Sequence, residues 1–128
     1  MNINIKATNM ELTSAISSYL NKRLPGIEKF IKKGIDIIAY VEVAKTTNHH
    51  KHDEDMFRAE LNMEVGGNKF YTFSEKEDLY VAIDDAKNEI VRQIKTSKDR
   101  RQTLFKRGAS SIKKMVKGIS GRNPFTSN

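Results

Sequence analysis

Apolar and polar residues alternate at the start of the chain. Ile3, Ile5 and Ala7 interleave with Asn2, Asn4 and Lys6, the period-two pattern of a short strand with one buried face. The period then changes. Leu12, Ala15, Ile16, Tyr19, Leu20, Leu24, Ile27, Phe30 and Ile31 recur at steps of three and four, which predicts an amphipathic helix. Thr13 is its expected N-cap, with Asn9 the alternative. Pro25-Gly26 should kink or end it, because proline lacks the N–H and crowds the preceding turn, and Gly34 should close the segment. Ile35, Ile37, Ala39, Val41 and Val43 alternate as a second strand, and Thr46–Asp55 reads as a polar loop. Phe57, Ala59, Leu61, Met63 and Val65 mark the inner face of a third strand. Gly66-Gly67 supplies the positive φ angles of a tight hairpin, and Asn68–Phe73 returns as a fourth strand.

Ser74-x-x-Glu77 resembles a capping box, with Asp78 a second candidate N-cap. Leu79, Ile83, Ala86, Ile90 and Ile94 then predict a long second helix that thins in apolar content towards Arg107. Gly108 is expected to interrupt it. Ile112, Met115, Val116 and Ile119 keep helical spacing among lysines, so a short basic helix is expected there when bound, followed by about ten disordered residues. The predicted order is β-α-β-β-β-α. This is an α+β two-layer sandwich, a four-stranded sheet with two helices on one face, over residues 1–107, followed by a basic, flexible extension over 108–128.

The charge is placed unevenly. The 128 residues carry a formal net charge of +7. Residues 1–94 hold 13 basic and 15 acidic side chains, whereas residues 95–128 hold ten and one, so the whole excess lies in the last quarter. Such asymmetry points to a polyanionic partner, nucleic acid or an anionic membrane surface. With no cysteine, disulfides, thiolate catalysis and Cys-ligated zinc are excluded. No apolar run is long enough to span a bilayer and no secretory h-region is seen, so a cytoplasmic protein is expected, with no membrane partner.

Candidate chemistry is sparse. His49, His50, His52 and Asp53 offer metal-ligating atoms but stand consecutively in a loop, without helical i, i+4 placement, so a solvated loop is the simpler reading. Lys51 there is a weak phosphate candidate beside Asp53, Glu54 and Asp55. Glu42, Glu60 and Glu64 alternate outward as an exposed sheet face. No phosphate loop and no G-x-S-x-G elbow occurs. Neither an enzyme, a cofactor, a small-molecule substrate nor a metal is expected. Basic residues are the stronger signal. Lys87, Lys95 and Lys98 share one flank of the second helix, Arg92 lies further round, and Arg100, Arg101, Lys106 and Arg107 prolong the strip. Lys22, Arg23, Lys29, Lys32 and Lys33 crowd the C-terminal half of the first helix, where they also complement its dipole. If the two helices run antiparallel on one face, these basic ends need not coincide.

Together with the order of elements, the stretch Asp78–Lys98 resembles the ribosome hibernation-promoting factor family, also called ribosome-associated inhibitor A or S30AE. Asp78, Tyr80, Ala82, Ile83, Asp84, Ile90, Arg92, Gln93, Ile94 and Lys98 occupy the places of the family pattern. The opening strand and helix are also similar, with Arg23 at a recurrent basic position. Two departures stand out: Glu89 where many members carry Lys, and Pro25-Gly26 in place of a helical pair. The resemblance implies a fold like the double-stranded-RNA-binding domain. It further implies binding to the small ribosomal subunit, to its 16S-type rRNA and neighbouring proteins, in the channel used by messenger and by A- and P-site tRNA. Inhibition would be steric, in stationary phase or stress, by a short form that is monomeric when free. On that reading Lys22, Arg23, Lys29, Lys87, Arg92, Lys95, Lys98, Arg100, Arg101, Lys106 and Arg107 are the rRNA-binding candidates. The alternative is a double-stranded-RNA- or tRNA-binding module that acts elsewhere.

Overall fold

A computed structural model describes the backbone of residues 1–47 and 55–117, and the side chains of residues 1–46 and 55–98. The elements follow in the order β1 (Asn2–Thr8), α1 (Ser14–Arg23), a 3-10 segment (Leu24–Phe30), β2 (Ile37–Thr47), β3 (Asp55–Val65), β4 (Asn68–Lys76) and α2 (Leu79–Lys117). The chain divides into two compact units, Met1–Ile94 and Lys95–Asn128, and the sheet and its core lie in the first. The strands form one four-stranded sheet in the order β1-β2-β3-β4, with β1 parallel to β2 and the other neighbours antiparallel.

Each boundary has a local cause. The Ile16 N–H donates to Thr13 Oγ1 at 3.2 Å, so Thr13 caps α1 as expected, while Asn9 instead takes a left-handed turn at φ 57°. At Leu24 the backbone stays helical but tightens to 3-10 geometry, because Pro25 has no N–H to donate to the turn before it. The threefold repeat then sends both Leu24 and Ile27 into the core. The Gly66-Gly67 turn has φ of 54° and 87°, and the Gly66 N–H donates to the Asp36 carbonyl at 3.1 Å.

Period-two alternation holds along the strands. Ala39, Val41, Val43, Ala59, Leu61, Met63 and Val65 are buried with Ile16, Leu20, Ala82, Ile83, Ala86 and Ile90 in one core, so both helices cover the same face of the sheet. Ile35 stays partly exposed, because β2 begins only at Ile37. Ser74 is not a helix cap. β4 runs on to Lys76, and the Ser74 hydroxyl turns inward to donate to Asp85 at 2.9 Å. The cap is Asp78, whose Oδ1 accepts from the Tyr80 N–H at 2.8 Å. Nor does Gly108 end the second helix, which continues to Lys117. One glycine costs a helix only about 1 kcal/mol relative to alanine. The loop expected at Thr46–Asp55 is shorter at both ends, because Thr46 and Thr47 pair with Met56 and Asp55 in the β2–β3 ladder; its remainder, 48–54, and the expected disordered end lie outside the described residues.

A candidate RNA-binding seam between two helices

Strand direction fixes helix direction. β1, β2 and β4 point one way, so α1, which follows β1, and α2, which follows β4, both return the other way. Side-chain contacts agree: Tyr19 meets Tyr80 and Asp84, and Gly26, further along, meets Lys87. The helices run in the same sense, contrary to the antiparallel case in which their basic ends need not coincide. Arg23, stacked on Tyr19, and Lys87, beside Gly26, therefore lie along the same seam.

A polar clamp holds this seam. The Tyr19 hydroxyl lies 2.7 Å from both oxygens of Asp84, and its ring meets Tyr80 edge-on at 4.8 Å. The Arg23 guanidinium sits 5.0 Å from the centre of the Tyr19 ring, a cation–π contact. Burial, then the hydrogen bond to Asp84 and its charge, raise the Tyr19 phenol above its ordinary pKa, and Arg23 opposes them. Next along, an added Cβ at Gly26 would lie 3.2 Å from Lys87 Nζ, so the end of that lysine rests against the bare backbone of Gly26. Among the described residues, Lys22, Arg23, Lys29 and Lys87 have no carboxylate within ion-pair distance. Uncompensated cations on one surface are what a phosphate backbone binds.

Arg92 is placed differently. It lies on the opposite flank of α2, where its Nε donates to Glu89 Oε2 at 2.9 Å and its Nη2 pairs with Glu89 Oε1. That contact lowers the Glu89 pKa and raises that of Arg92. Lys95 and Lys98 are exposed on the continuation of α2 in the second unit. Arg100, Arg101, Lys106 and Arg107 stand on its helical backbone, and their side chains are outside the described set. His49, His50, Lys51, His52 and Asp53 also fall outside it. Among the described residues no His, Cys, Asp and Glu cluster could hold a metal, and no helix is long and apolar enough to cross a membrane.

Charge alone does not reveal the clamp. Its signal is the spacing: Tyr19 and Arg23 stand at i, i+4 in α1, as do Tyr80 and Asp84 in α2, so each pair shares a helix flank. Several positions of the Asp78–Lys98 pattern prove to be folding contacts. Asp78 caps, Ala82, Ile83, Ile90 and Ile94 are buried, and Gln93 donates to the Tyr71 carbonyl at 2.9 Å.

Residues 3–102 match the profile of the Sigma 54 modulation protein / S30EA ribosomal protein family. A protein of Pseudomonas putida called ribosome hibernation promoting factor is 24% identical over 110 residues, covering 86% of this chain and 99% of its own length. The Escherichia coli K12 protein of the same description is 25% identical over 100 residues, covering 78% and 96%. Among solved structures, the N-terminal domain of Thermus thermophilus Protein Y superposes with a TM-score of 0.63 at 28% identity, over 75% of this chain and 98% of that one. A ribosomal subunit interface protein from Coxiella burnetii shares the fold at a TM-score of 0.56 and 16% identity, over 77% and 99%.

Proposed function

The chain belongs to the Sigma 54 modulation protein / S30EA ribosomal protein family, and on that premise we propose that it is a ribosome hibernation factor. It binds the small ribosomal subunit in the messenger and tRNA channel and blocks translation by occupying it, in the cytoplasm, as a monomer before binding. No bond is made or broken. Relatives covering most of the chain carry the hibernation name, which supports the role. The observation that supports the mechanism is the placement of Arg23 and Lys87, neither with an ion-pair partner among the described residues, along one seam between helices of the same sense, with Lys22 on the same helix as Arg23 and Lys29 on the 3-10 segment that follows it.

Affinity in this reading comes from phosphates through counterion release, and selectivity from the shape of folded RNA rather than from base sequence. The clamp suits that task, because it holds the Arg23 guanidinium against Tyr19 before contact. Residues 1–107 form the binding domain, with Lys95, Lys98, Arg100, Arg101, Lys106 and Arg107 prolonging the contact and 108–128 acting as a basic extension. Arg92 joins only if rRNA phosphate displaces Glu89. The test is cosedimentation with purified small subunits, competed by initiator tRNA and messenger, beside inhibition of a reconstituted translation system. Saturable binding relieved by both competitors is the expected result. Equal affinity for a free RNA duplex, without competition, would assign the chain to general RNA binding instead.

A further inference from the structure

The sheet face turned away from the helices has a chemistry opposite to that of the seam. Register places Glu42 directly across from Glu60, with Lys6 and Phe73 at the two ends of the row. The neighbouring row holds Tyr40 and Tyr71. Tyr40, Tyr71 and Phe73 are 47%, 43% and 51% exposed, among the most exposed large apolar side chains described. A shallow cavity of about 220 Å³ opens beside Tyr40, Glu42 and Glu60.

Two carboxylates directly opposed on adjacent strands destabilise a sheet. Lys6, opposite Glu42 in the register and on the wall of the same cavity, makes no ion pair with it among the described residues. Thr8 donates to Glu42 at 2.9 Å without bringing charge, and Arg58 approaches Glu60 only to 3.7 Å. The Arg58 guanidinium is instead stacked 3.9 Å from the centre of the Phe73 ring, with Nη2 3.4 Å from the Tyr71 hydroxyl. The face thus already holds one guanidinium of its own, stacked on Phe73 and paired loosely with Glu60, while among the described residues no cation lies over the second exposed ring, Tyr40.

We propose that this outer sheet face is a docking surface for a basic polypeptide segment, which inserts an arginine or lysine between Tyr40 and the Glu42–Glu60 pair. Cation–π contact and a charge-assisted hydrogen bond would recognise the head group, and the rings of Tyr71 and Phe73 would cover its apolar neighbours. RNA is disfavoured, because its phosphates would meet the two carboxylates, where the nearby cations are Lys6 and an Arg58 already engaged with Phe73 and Glu60. The protein would then hold two kinds of partner on opposite sides of one sheet, RNA on the helices and a basic protein segment on the strands.

The test uses the full chain, labelled with nitrogen-15, and a capped peptide of alternating arginine and valine, with a glutamate–valine peptide and a short oligouridylate as controls. The arginine peptide should shift amides around Tyr40, Glu60 and Phe73, and the controls should leave them in place. Glu60→Gln should weaken the peptide about tenfold, the loss of one charge-assisted contact, and Tyr40→Ala several-fold. A structural role for Glu60 would lower the melting temperature on substitution. Relief of the opposed charges predicts that Glu60→Gln melts no lower than the parent. Unchanged peptide affinity in Glu60→Gln, peptide shifts confined to other surfaces, no peptide binding, or oligouridylate shifting these same amides would each overturn the proposal.

Discussion

Consider Lys87→Gln. Lys87 has no ion-pair partner among the described residues, and its ammonium passes Gly26 to reach the seam. Neutralising it should leave folding stability within about 0.5 kcal/mol of the parent, as for a surface substitution that breaks no contact network. Binding is another matter. Each phosphate neutralised contributes about 0.9 to the slope of log affinity against log salt. A single lysine therefore accounts for about a 3.5-fold share of the affinity lost between about 50 and 200 mM salt. If Lys22, Arg23, Lys29 and Lys87 each meet one phosphate, removing all of them takes about 3.6 from the slope, a share of about 150-fold over the same range. The assay is a titration of purified small subunits at several potassium concentrations and constant magnesium, with the single and fourfold glutamine variants beside the parent. Lines for parent and Lys87→Gln that run parallel would refute the seam as a phosphate contact, whatever the absolute affinities.

Tyr19→Phe keeps the rings of the clamp but removes its hydrogen bond to Asp84. The expected loss is about 1–2 kcal/mol, read as a drop of several degrees in melting temperature. Because the folded state holds the phenolic proton more tightly than the unfolded chain does, this contribution is fully present below about pH 10 and is lost as pH rises through the raised native value. The gap between parent and variant in urea unfolding should thus narrow above pH 10, and a constant gap would contradict it. Glu89→Gln frees Arg92 and should raise small-subunit affinity several-fold at low salt, steepening the salt slope by about 0.9 if Arg92 then takes a phosphate; an unchanged slope would place Arg92 away from the RNA. Gly66→Ala forces a side chain into φ 54° with its Cβ only 2.9 Å from Ile35 Cγ2, and should lower the urea midpoint by the equivalent of about 1–2 kcal/mol.

Local patterns disclosed the fold well, because strand and helix periods are written by burial on one face. The inner rows of β2 and β3, the Thr13 cap, the double-glycine turn and the change of helix at Pro25 follow from neighbours in sequence. Failures occurred where a residue's partner is distant. Ser74 fits a capping box on spacing alone, yet the strand carries it inward to Asp85, eleven residues away. The basic seam had the same limit. Lys22, Arg23 and Lys87 were visible as charges, but their meeting depends on the parallel pairing of β1 with β2, which sets the direction of both helices. Glu89 looked like an isolated departure until its contact with Arg92 showed that two neighbouring charges cancel locally.

Gly26 and Lys87 form a matched pair across the helices, since the backbone of one is the bed on which the other's methylenes and ammonium rest. A side chain at 26 would ask the end of Lys87 to give by a few tenths of an ångström. A bare glycine next to a rigid proline, which as a sequence looks like a flaw in a helix, is in the folded protein the surface against which a cation lies.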